Sequence, residues 1–338
     1  MADPRYDEAI FPTDLLLALA QIAPERGVDP AQLCRGLGFE VADLSQPTTR
    51  VSYRQASLMI QRALAQIPDP ALGLTLGTRA TLGSMGLIGH AMAMSATLGD
   101  ALNLALKHLV LTGAVGYQIE LRMAGPLISL ELEHRFPDPE IQSFITEEAF
   151  SSALTYARAL TGGHALQVSR VDFSHAERGA GEFAGKVFAA PVNFGSDGNR
   201  FMFEARYLGL PVPTHHPLGL NQALELLEAF ARQEQVKDDL CSAVERAAYR
   251  TLTGGITLEE IARQLNMSSR TLRRRLAASG VSFEALVENV RKTRALSLLT
   301  HSDAAVEHIA SETGYSDVRN FRRAFKRWTG VSPSEYRH

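Results

Sequence analysis

Near the end of the chain, "IARQLNMS" at 261–268 is followed 48 residues later by "IASETGYS" at 309–316. Both fit Ile-Ala-x-x-x-[Asn/Gly]-apolar-Ser, and each precedes an arginine-rich stretch with helical apolar spacing. The pattern constrains the backbone tightly. Ala262 and Ala310 suit a close crossing of two helices, where only a small side chain fits. Four residues on, Asn266 and Gly314 suit a turn with positive φ, which Gly takes freely and Asn tolerates. Met267 and Tyr315 would plug the angle between the helices, and Ser268 and Ser316 would cap the second helix of each pair. The spacing predicts two helix-turn-helix units, at 257–280 and 304–329.

The flanks agree. Thr257 followed by Glu260 reads as a capping box, and Asp303 as the cap of a helix over 304–312. Gly254-Gly255 punctuate before the first unit, and Gly280 and Gly330 stand just past the two second helices. Between the units, "SFEALVENVRKTRALSLL" places Phe283, Leu286, Val287, Val290, Ala295, Leu298 and Leu299 at helical spacing, as a linker helix would. "SPSEY" starts a last short helix with Ser332 as cap, Pro333 in its first turn and Glu335 closing the box.

A length of 338 residues suits two or three domains, and charge separates them. Residues 1–231 hold 16 basic against 24 acidic side chains, whereas 232–338 hold 18 against 13. An acidic body with a basic end implies that only the end approaches a polyanion. In that end only Lys237, Lys292 and Lys326 are lysine, and arginine favours forked contacts to phosphate and guanine.

At about 100° per residue the basic side chains sort by face. Leu272 and Leu276 mark the buried side of the first arginine-rich helix. Arg270 and Arg274 then point away, Arg273 flanks them, and Arg275 falls nearer the core, where it would hold phosphate or a neighbouring helix. On the second helix Phe321, Phe325 and Trp328 mark the core. Arg319 and Arg323 point away, Asn320 and Lys326 flank them, and Arg327 sits at the edge. Asp317 reads as a first-turn residue compensating the helix dipole. One such helix alone would read as a solvated basic face; two at a fixed offset favour a surface built for a polyanion.

"GYSDVRNFRRAFKRWTGVSPSEYR" (314–337) and "RTLRRRLAASGVSFEALVENVRKTRA" resemble the DNA-binding domain of the AraC/XylS family of bacterial transcription regulators, over roughly 238–338. Asn266 departs from the glycine usual in the family. The resemblance implies base or phosphate contacts at Arg270, Arg273 and Arg274 in one helix and at Arg319, Asn320 and Arg323 in the other, with Lys326 beside them. It also implies double-stranded promoter DNA as partner, with RNA polymerase and a second copy of the chain as further partners. Two such helices about 34 Å apart would enter successive major grooves.

Residues 1–231 are acidic and rich in Leu, Ala and Gly. "SMGLIGHAMAMSATLGDALNLALKHLVL" reads as two helices split near Leu98-Gly99, with Thr97 capping the second. "YQIELRM" and "PLISLELEH" alternate and would pair as a hairpin across Ala124-Gly125. "PEIQSFITEEAFSSALTYARALTG" is a long helix ending at Gly162-Gly163, and "VSRVDFSH" and "VNFGSDGNRFMFEA" supply short strands. "HPLGLNQALELLEAFARQEQV" is a helix with apolar positions 220, 223, 224, 227, 230 and 231, either a dimer seam or a face packed on its own domain.

"GLIGHAMAMSATLGDAL", "VDFSHAERG", "APVNFGSDGNRFMF" and "LGLPVP" resemble the arabinose-binding-type effector domain of a branch of the same family. That implies an α+β sensor for a small molecule or a partner protomer. The matching motifs are turns, strand ends and core, so no effector-binding residue carries over and the effector stays unknown. The expected organisation is an α+β regulatory domain at 1–215, a linker or dimerisation helix at 216–237, and an all-α double helix-turn-helix domain at 238–338.

Other classes find no support in the sequence. Cys34 and Cys241 have no C-x-x-C spacing, which fits a reducing cytoplasm better than a disulfide scaffold or zinc ribbon. "MADPRYDEAIF" does not read as a secretory signal, and the apolar run at 82–99, broken by Gly, Ser, Thr and His90, reads as a buried helix rather than a membrane span. No phosphate-binding loop, nucleophile elbow or H-E-x-x-H appears; His215-His216 is a loop pair, and His90 and His108 read as core histidines. No metal, cofactor or enzymatic activity is expected. The expected function is sequence-specific transcription regulation, as an activator, under a small-molecule effector. The alternative is a constitutive DNA binder whose first domain only oligomerises.

Overall fold

The computed structural model describes residues 6–109, 114, 116–163, 166–233, 239–254, 256–301 and 304–337. The chain divides into two compact units, Met1–Leu33 with Leu44–Val236, and Cys34–Asp43 with Lys237–His338. The first is α+β and the second all helical, as expected.

The first unit opens with α1 (Asp14–Ile22), α2 (Pro30–Cys34), α3 (Tyr53–Gln66), α4 (Leu72–Thr78), α5 (Gly86–Ala93) and α6 (Leu98–Lys107). The hairpin β1 (Tyr117–Ala124) and β2 (Leu127–His134) leads into the long α7 (Gln142–Leu160). Then come β3 (Val168–Asp172), α8 (Gly181–Phe188), β4 (Val192–Asn193), β5 (Asn199–Glu204) and α9 (Pro217–Gln233). The strands form one sheet in the order β1-β2-β5-β3-β4. Its pairs are antiparallel except β3 with β4, which run parallel around the α8 crossover. The hairpin turns at Gly125-Pro126, one residue past the expected position, because Ala124 still pairs with Leu127 and Gly125 takes φ +62°.

Along β5 burial alternates, with Phe201 and Phe203 inward and Arg200 and Met202 outward, the period of a sheet with one covered face. Ile128, Leu130 and Leu132 of β2 join those phenylalanines and Phe150 and Leu154 of α7 in one core. Each such side chain contributes about 1.5–3 kcal/mol on burial. Two glycines let α4 lie directly on α7. A Cβ on Gly73 would fall 2.5 Å from the Phe144 carbonyl oxygen, and one on Gly77 would fall 2.5 Å from Ser151 Cβ. Ser151 Oγ donates to the Leu74 carbonyl at 3.0 Å and Thr155 Oγ1 to that of Gly77 at 2.9 Å, which fixes the rotation of α7 about its own axis.

The apolar run at 82–99 is not one buried helix. A 3₁₀ turn (Leu82–Met85), α5 and the start of α6 share it, with Thr97 and Asp100 forming a capping box for α6. Short helices each bury only one side, so His90 is exposed and His108 sits half-buried at the end of α6; neither is a core histidine. Burial acts instead on His134, whose imidazole is pulled down to about 4, and on His175, also pulled down. On α9, Ala223 and Leu227 are buried in the core of their own unit and Leu220 and Leu224 pack against it. The side chains at 230 and 231 lie outside the described residues.

The second unit comprises α10 (Asp239–Arg250), α11 (Leu258–Gln264), α12 (Ser269–Ala278), α13 (Phe283–His301), α14 (Val306–Glu312), α15 (Val318–Thr329) and α16 (Pro333–Tyr336). Helix α13 is its spine. Leu286, Val287 and Val290 close one core with Ile261, Leu272 and Leu276. Ala295 and Leu299 close a second with Ile309, Phe321 and Phe325. The segment Cys34–Asp43 belongs to this unit through Arg246, whose Nε donates to the Gly38 carbonyl at 3.0 Å, and Arg250, which pairs with Asp43 at 2.6 Å. Among the described residues no helix is long and apolar enough to cross a membrane.

Candidate functional site

The repeated octapeptide is repeated geometry. Asn266 has φ +54° and Gly314 φ +75°. The Met267 N–H donates to the Ala262 carbonyl at 2.8 Å, and the Tyr315 N–H to that of Ala310 at 2.9 Å. Ala262 and Ala310 are buried. The two turns differ in one respect. A Cβ on Gly314 would lie 2.3 Å from the Leu252 carbonyl oxygen, so that position needs glycine for space as well as for φ.

The caps depart from expectation in places. Ser268 accepts from the Thr271 N–H at 3.2 Å, as predicted. Thr257 accepts from the Glu260 N–H at 3.2 Å, but Glu260 does not return the bond, because its carboxylate is held by Arg263 and by Gln264. Ser316 is not the cap of α15. Asp317 occupies that place and accepts from the Arg319 N–H at 2.9 Å, a carboxylate at the positive end of the dipole. Helix α14 starts at Val306 with Ala305 before it and no side-chain cap; Asp303 lies outside the described residues. Ser332 and Glu335 form the predicted box on α16.

On α12, Leu272 and Leu276 are buried while Arg270, Arg273, Arg274 and Arg275 are exposed. Among the described residues none of these four guanidinium groups meets a carboxylate. Arg275, expected to hold phosphate or a neighbouring helix, is exposed and among the described residues pairs with no carboxylate of a neighbouring helix. On α15, Phe321 and Phe325 are buried and Trp328 half-buried. Arg319, Asn320, Arg323 and Lys326 are exposed on the other side, and among the described residues the three cations have no ion pair.

The remaining basic residues of α15 are tied down. Arg322 pairs with Glu307 at 3.3 Å, and Arg327 pairs with Glu288. Glu288 also accepts the indole N–H of Trp328 at 2.7 Å. These two bonds, the indole's first, hold its carboxyl below the usual range. One turn along α13, Arg291 lies over the Tyr315 ring at 4.9 Å and donates to the Gly314 carbonyl at 3.4 Å. Glu288 and Arg291 thus brace α15 and its turn. Sequence reasoning missed them, because helical spacing shows which face of α13 they share and not which helix they reach.

The first unit holds a cavity of about 610 Å³. Leu102, Met92, Leu130, Phe201 and Phe203 form apolar walls. Helix α7 presents Glu148, Ser152 and Tyr156 to it at successive turns, with Ala149, Ala153 and Ala157 between them. Burial pushes the Glu148 carboxyl up to about 7, an effect the nearby Ser152 hydroxyl opposes. Burial likewise raises the phenols of Tyr117 and Tyr156, which therefore stay neutral. No effector residue was named from the sequence. The readable signal was a polar stripe, Glu148, Ser152 and Tyr156, on a helix otherwise apolar toward the sheet.

A cavity-bearing α+β domain joined to paired helix-turn-helix units defines a DNA-binding transcription regulator, and the matches are of that kind. Residues 27–212 match the arabinose-binding domain of AraC transcription regulators, and residues 261–338 match a helix-turn-helix domain. The chain belongs to the AraC family of transcription regulators, not to an enzyme family. It is 30% identical to the ornithine utilization regulator of Pseudomonas aeruginosa, over 98% of this chain and 97% of that one. It is 27% identical to the transcriptional regulator VirS of Mycobacterium tuberculosis, over 93% and 92% of the two chains. The crystal structure of the regulator CdpR from Pseudomonas aeruginosa superposes with a TM-score of 0.49 at 22% identity, over 96% and 98% of the chains.

Proposed function

We propose that this regulator reads an asymmetric promoter site of two short boxes, one for each arginine-rich helix. Arg270, Arg273 and Arg274 of α12 meet one box, and Arg319, Asn320, Arg323 and Lys326 of α15 meet the other. Bases are read by some of these side chains and phosphates clamped by the rest. Ala262, Asn266, Ala310 and Gly314 shape the turns that present them. The observation that carries this reading is the division on α15: Arg322 and Arg327 have carboxylate partners, whereas Arg319, Arg323 and Lys326 share one exposed face without any among the described residues. Cations gathered on a single face, while their neighbours on the same helix are paired, suit a polyanion.

The regulatory part, 1–215, binds a small-molecule effector; 216–237 serves as linker or dimerisation helix; 238–338 is the DNA-binding part. The protein acts in the cytoplasm as a homodimeric activator that engages RNA polymerase. The effector shifts occupancy through different affinities for two states of the regulator. The 610 Å³ cavity favours this over a domain that only oligomerises. The test is selection of bound DNA from a random pool, repeated across a metabolite panel. Two boxes one helical turn apart, with a metabolite that moves the binding curve, support the reading. A featureless preference sinks specific recognition, and curves unmoved by every metabolite favour the constitutive alternative.

A further inference from the structure

The cavity of the first unit carries its own indication of ligand chemistry. Its volume, about 610 Å³, lies inside the roughly 300–1,000 Å³ typical of small-molecule sites. Its walls are mostly leucine, methionine, phenylalanine and alanine, so most of a ligand there must be apolar. The small side chains of α7, Ala149, Ala153 and Ala157, keep the space open on the side where Glu148, Ser152 and Tyr156 face it.

The charges that line this space are unequal. Arg79 reaches it, but its Nη1 lies 2.8 Å from both carboxylate oxygens of Glu25, so its charge is already met. Glu148 has no such partner: among the described residues no cation pairs with it, and the nearby Ser152 hydroxyl donates to the Ala149 carbonyl at 3.1 Å. Asp14 lines the same cavity and adds a second carboxyl. An anionic head group would meet two carboxyls and one neutralised arginine. A cationic head group would meet a carboxyl without a counter-ion, beside the phenol rings of Tyr117 and Tyr156, whose faces attract ammonium groups.

We propose that this cavity binds an amphipathic amine, with its apolar body among the Leu, Met and Phe walls and its ammonium paired with Glu148. The inference rests on the effector reading above and deepens it by naming the class of compound. A lone charge in an apolar space is costly, and a buried carboxylate with an ammonium partner is the arrangement that removes the cost. Ser152 Oγ donates to the Ala149 carbonyl at 3.1 Å, which leaves the Glu148 lone pairs for the ligand.

The test uses the full-length protein and three probes with the same chain: octylamine, octanol and octanoate. Calorimetry at neutral pH should show octylamine bound at least tenfold more tightly than octanol, and octanoate not bound. Glu148→Gln, which keeps shape and removes charge, should cost octylamine at least tenfold and leave octanol unchanged. Ala153→Phe, which fills the cavity, should abolish both. Equal binding of octanol and octylamine, binding of octanoate, or indifference of octylamine to Glu148→Gln each overturns the proposal. DNA affinity measured with and without octylamine separates the two ideas. An amine that binds without moving the DNA curve keeps the ligand class and removes effector control. A different metabolite that moves the curve while amines fail to bind does the reverse.

Discussion

The two units treat unpaired charge in opposite ways. On the two arginine-rich helices of the helical unit, cations without a carboxylate partner among the described residues point into water: Arg270, Arg273, Arg274 and Arg275 on α12, Arg319, Arg323 and Lys326 on α15. In the α+β unit Glu148, which has no cation partner among the described residues, lines a largely apolar cavity. Water solvates a free guanidinium at almost no cost, so its freedom alone says little. A free carboxyl in a cavity lowers stability whenever it ionises, so its persistence says more. The outward set becomes informative only through sorting, since the same helix α15 carries Arg322 and Arg327 already engaged by Glu307 and Glu288.

The largest effect should come from the outward set. Arg274→Ala combined with Arg323→Ala removes one central side chain from each helix, at about 1–3 kcal/mol each. Promoter affinity should fall roughly 100-fold or more, with folding unaffected. Arg323→Ala alone should relax preference in one box only. A uniform loss across all sequences, with a salt slope reduced by about one, would make Arg323 a phosphate clamp.

The inward charge comes next. Its sign follows from the raised pKa. Below pH 4.5 Glu148 is protonated both folded and unfolded and costs nothing. As pH rises from there to about 7 the unfolded chain ionises while the folded one keeps its proton, so stability falls; above about 7 the penalty is complete. The shift corresponds to at most about 3 kcal/mol, since the side chain is only partly buried and solvent screening reduces it. Glu148→Gln should therefore raise the unfolding midpoint at pH 8 and leave it unchanged at pH 4. Ser152, Tyr117, Tyr156, Asp14 and the Arg79–Glu25 pair line the same cavity, and the neighbouring Glu147, raised to about 8 by burial, remains in both proteins. The quantity to follow is thus the difference between variant and parent across the pH range. An equal midpoint at pH 8 would mean that Glu148 is better compensated than its surroundings indicate.

The contrast also explains what could be read in advance. The outward set was legible because a helix with a marked apolar side shows its other side by period alone; Leu272 with Leu276, and Phe321 with Phe325, were enough. The turns were legible because positive φ restricts residue choice, as at Asn266 and Gly314. The pairings were not. Whether Arg327 is free depends on Glu288, 39 residues earlier on another helix. The cavity was hidden for the same reason, since its walls come from Asp14 to Phe203 and only the fold brings them together. His90 and His108 were misjudged because an apolar run does not show where it will break.

A paired charge inside the helical unit offers a smaller effect. Glu288→Ala leaves the half-buried indole N–H of Trp328 without its acceptor and releases Arg327. Stability of the unit should drop by about 1–2 kcal/mol, the usual cost of a lost charge-assisted bond. Trp328 is the chain's single tryptophan, so its fluorescence should shift to the red as the ring loosens. An unchanged spectrum would mean that packing against Phe325 and Tyr315 holds the ring without Glu288.

The smallest effect is the one that makes the sorting decisive. Arg322 sits between Phe321 and Arg323, yet its guanidinium is turned toward Glu307 of α14. Both partners are exposed, and such pairs contribute little to stability. If position along the helix decided DNA contact, Arg322→Ala and Arg323→Ala would weaken binding alike. If the free face decides it, Arg322→Ala should change promoter affinity by less than twofold, with the salt slope and the selected sequence preserved. A loss at Arg322 comparable to that at Arg323 would show that the Glu307 pair opens on binding. The division between tied and free cations would then describe the unbound protein and not the reading surface.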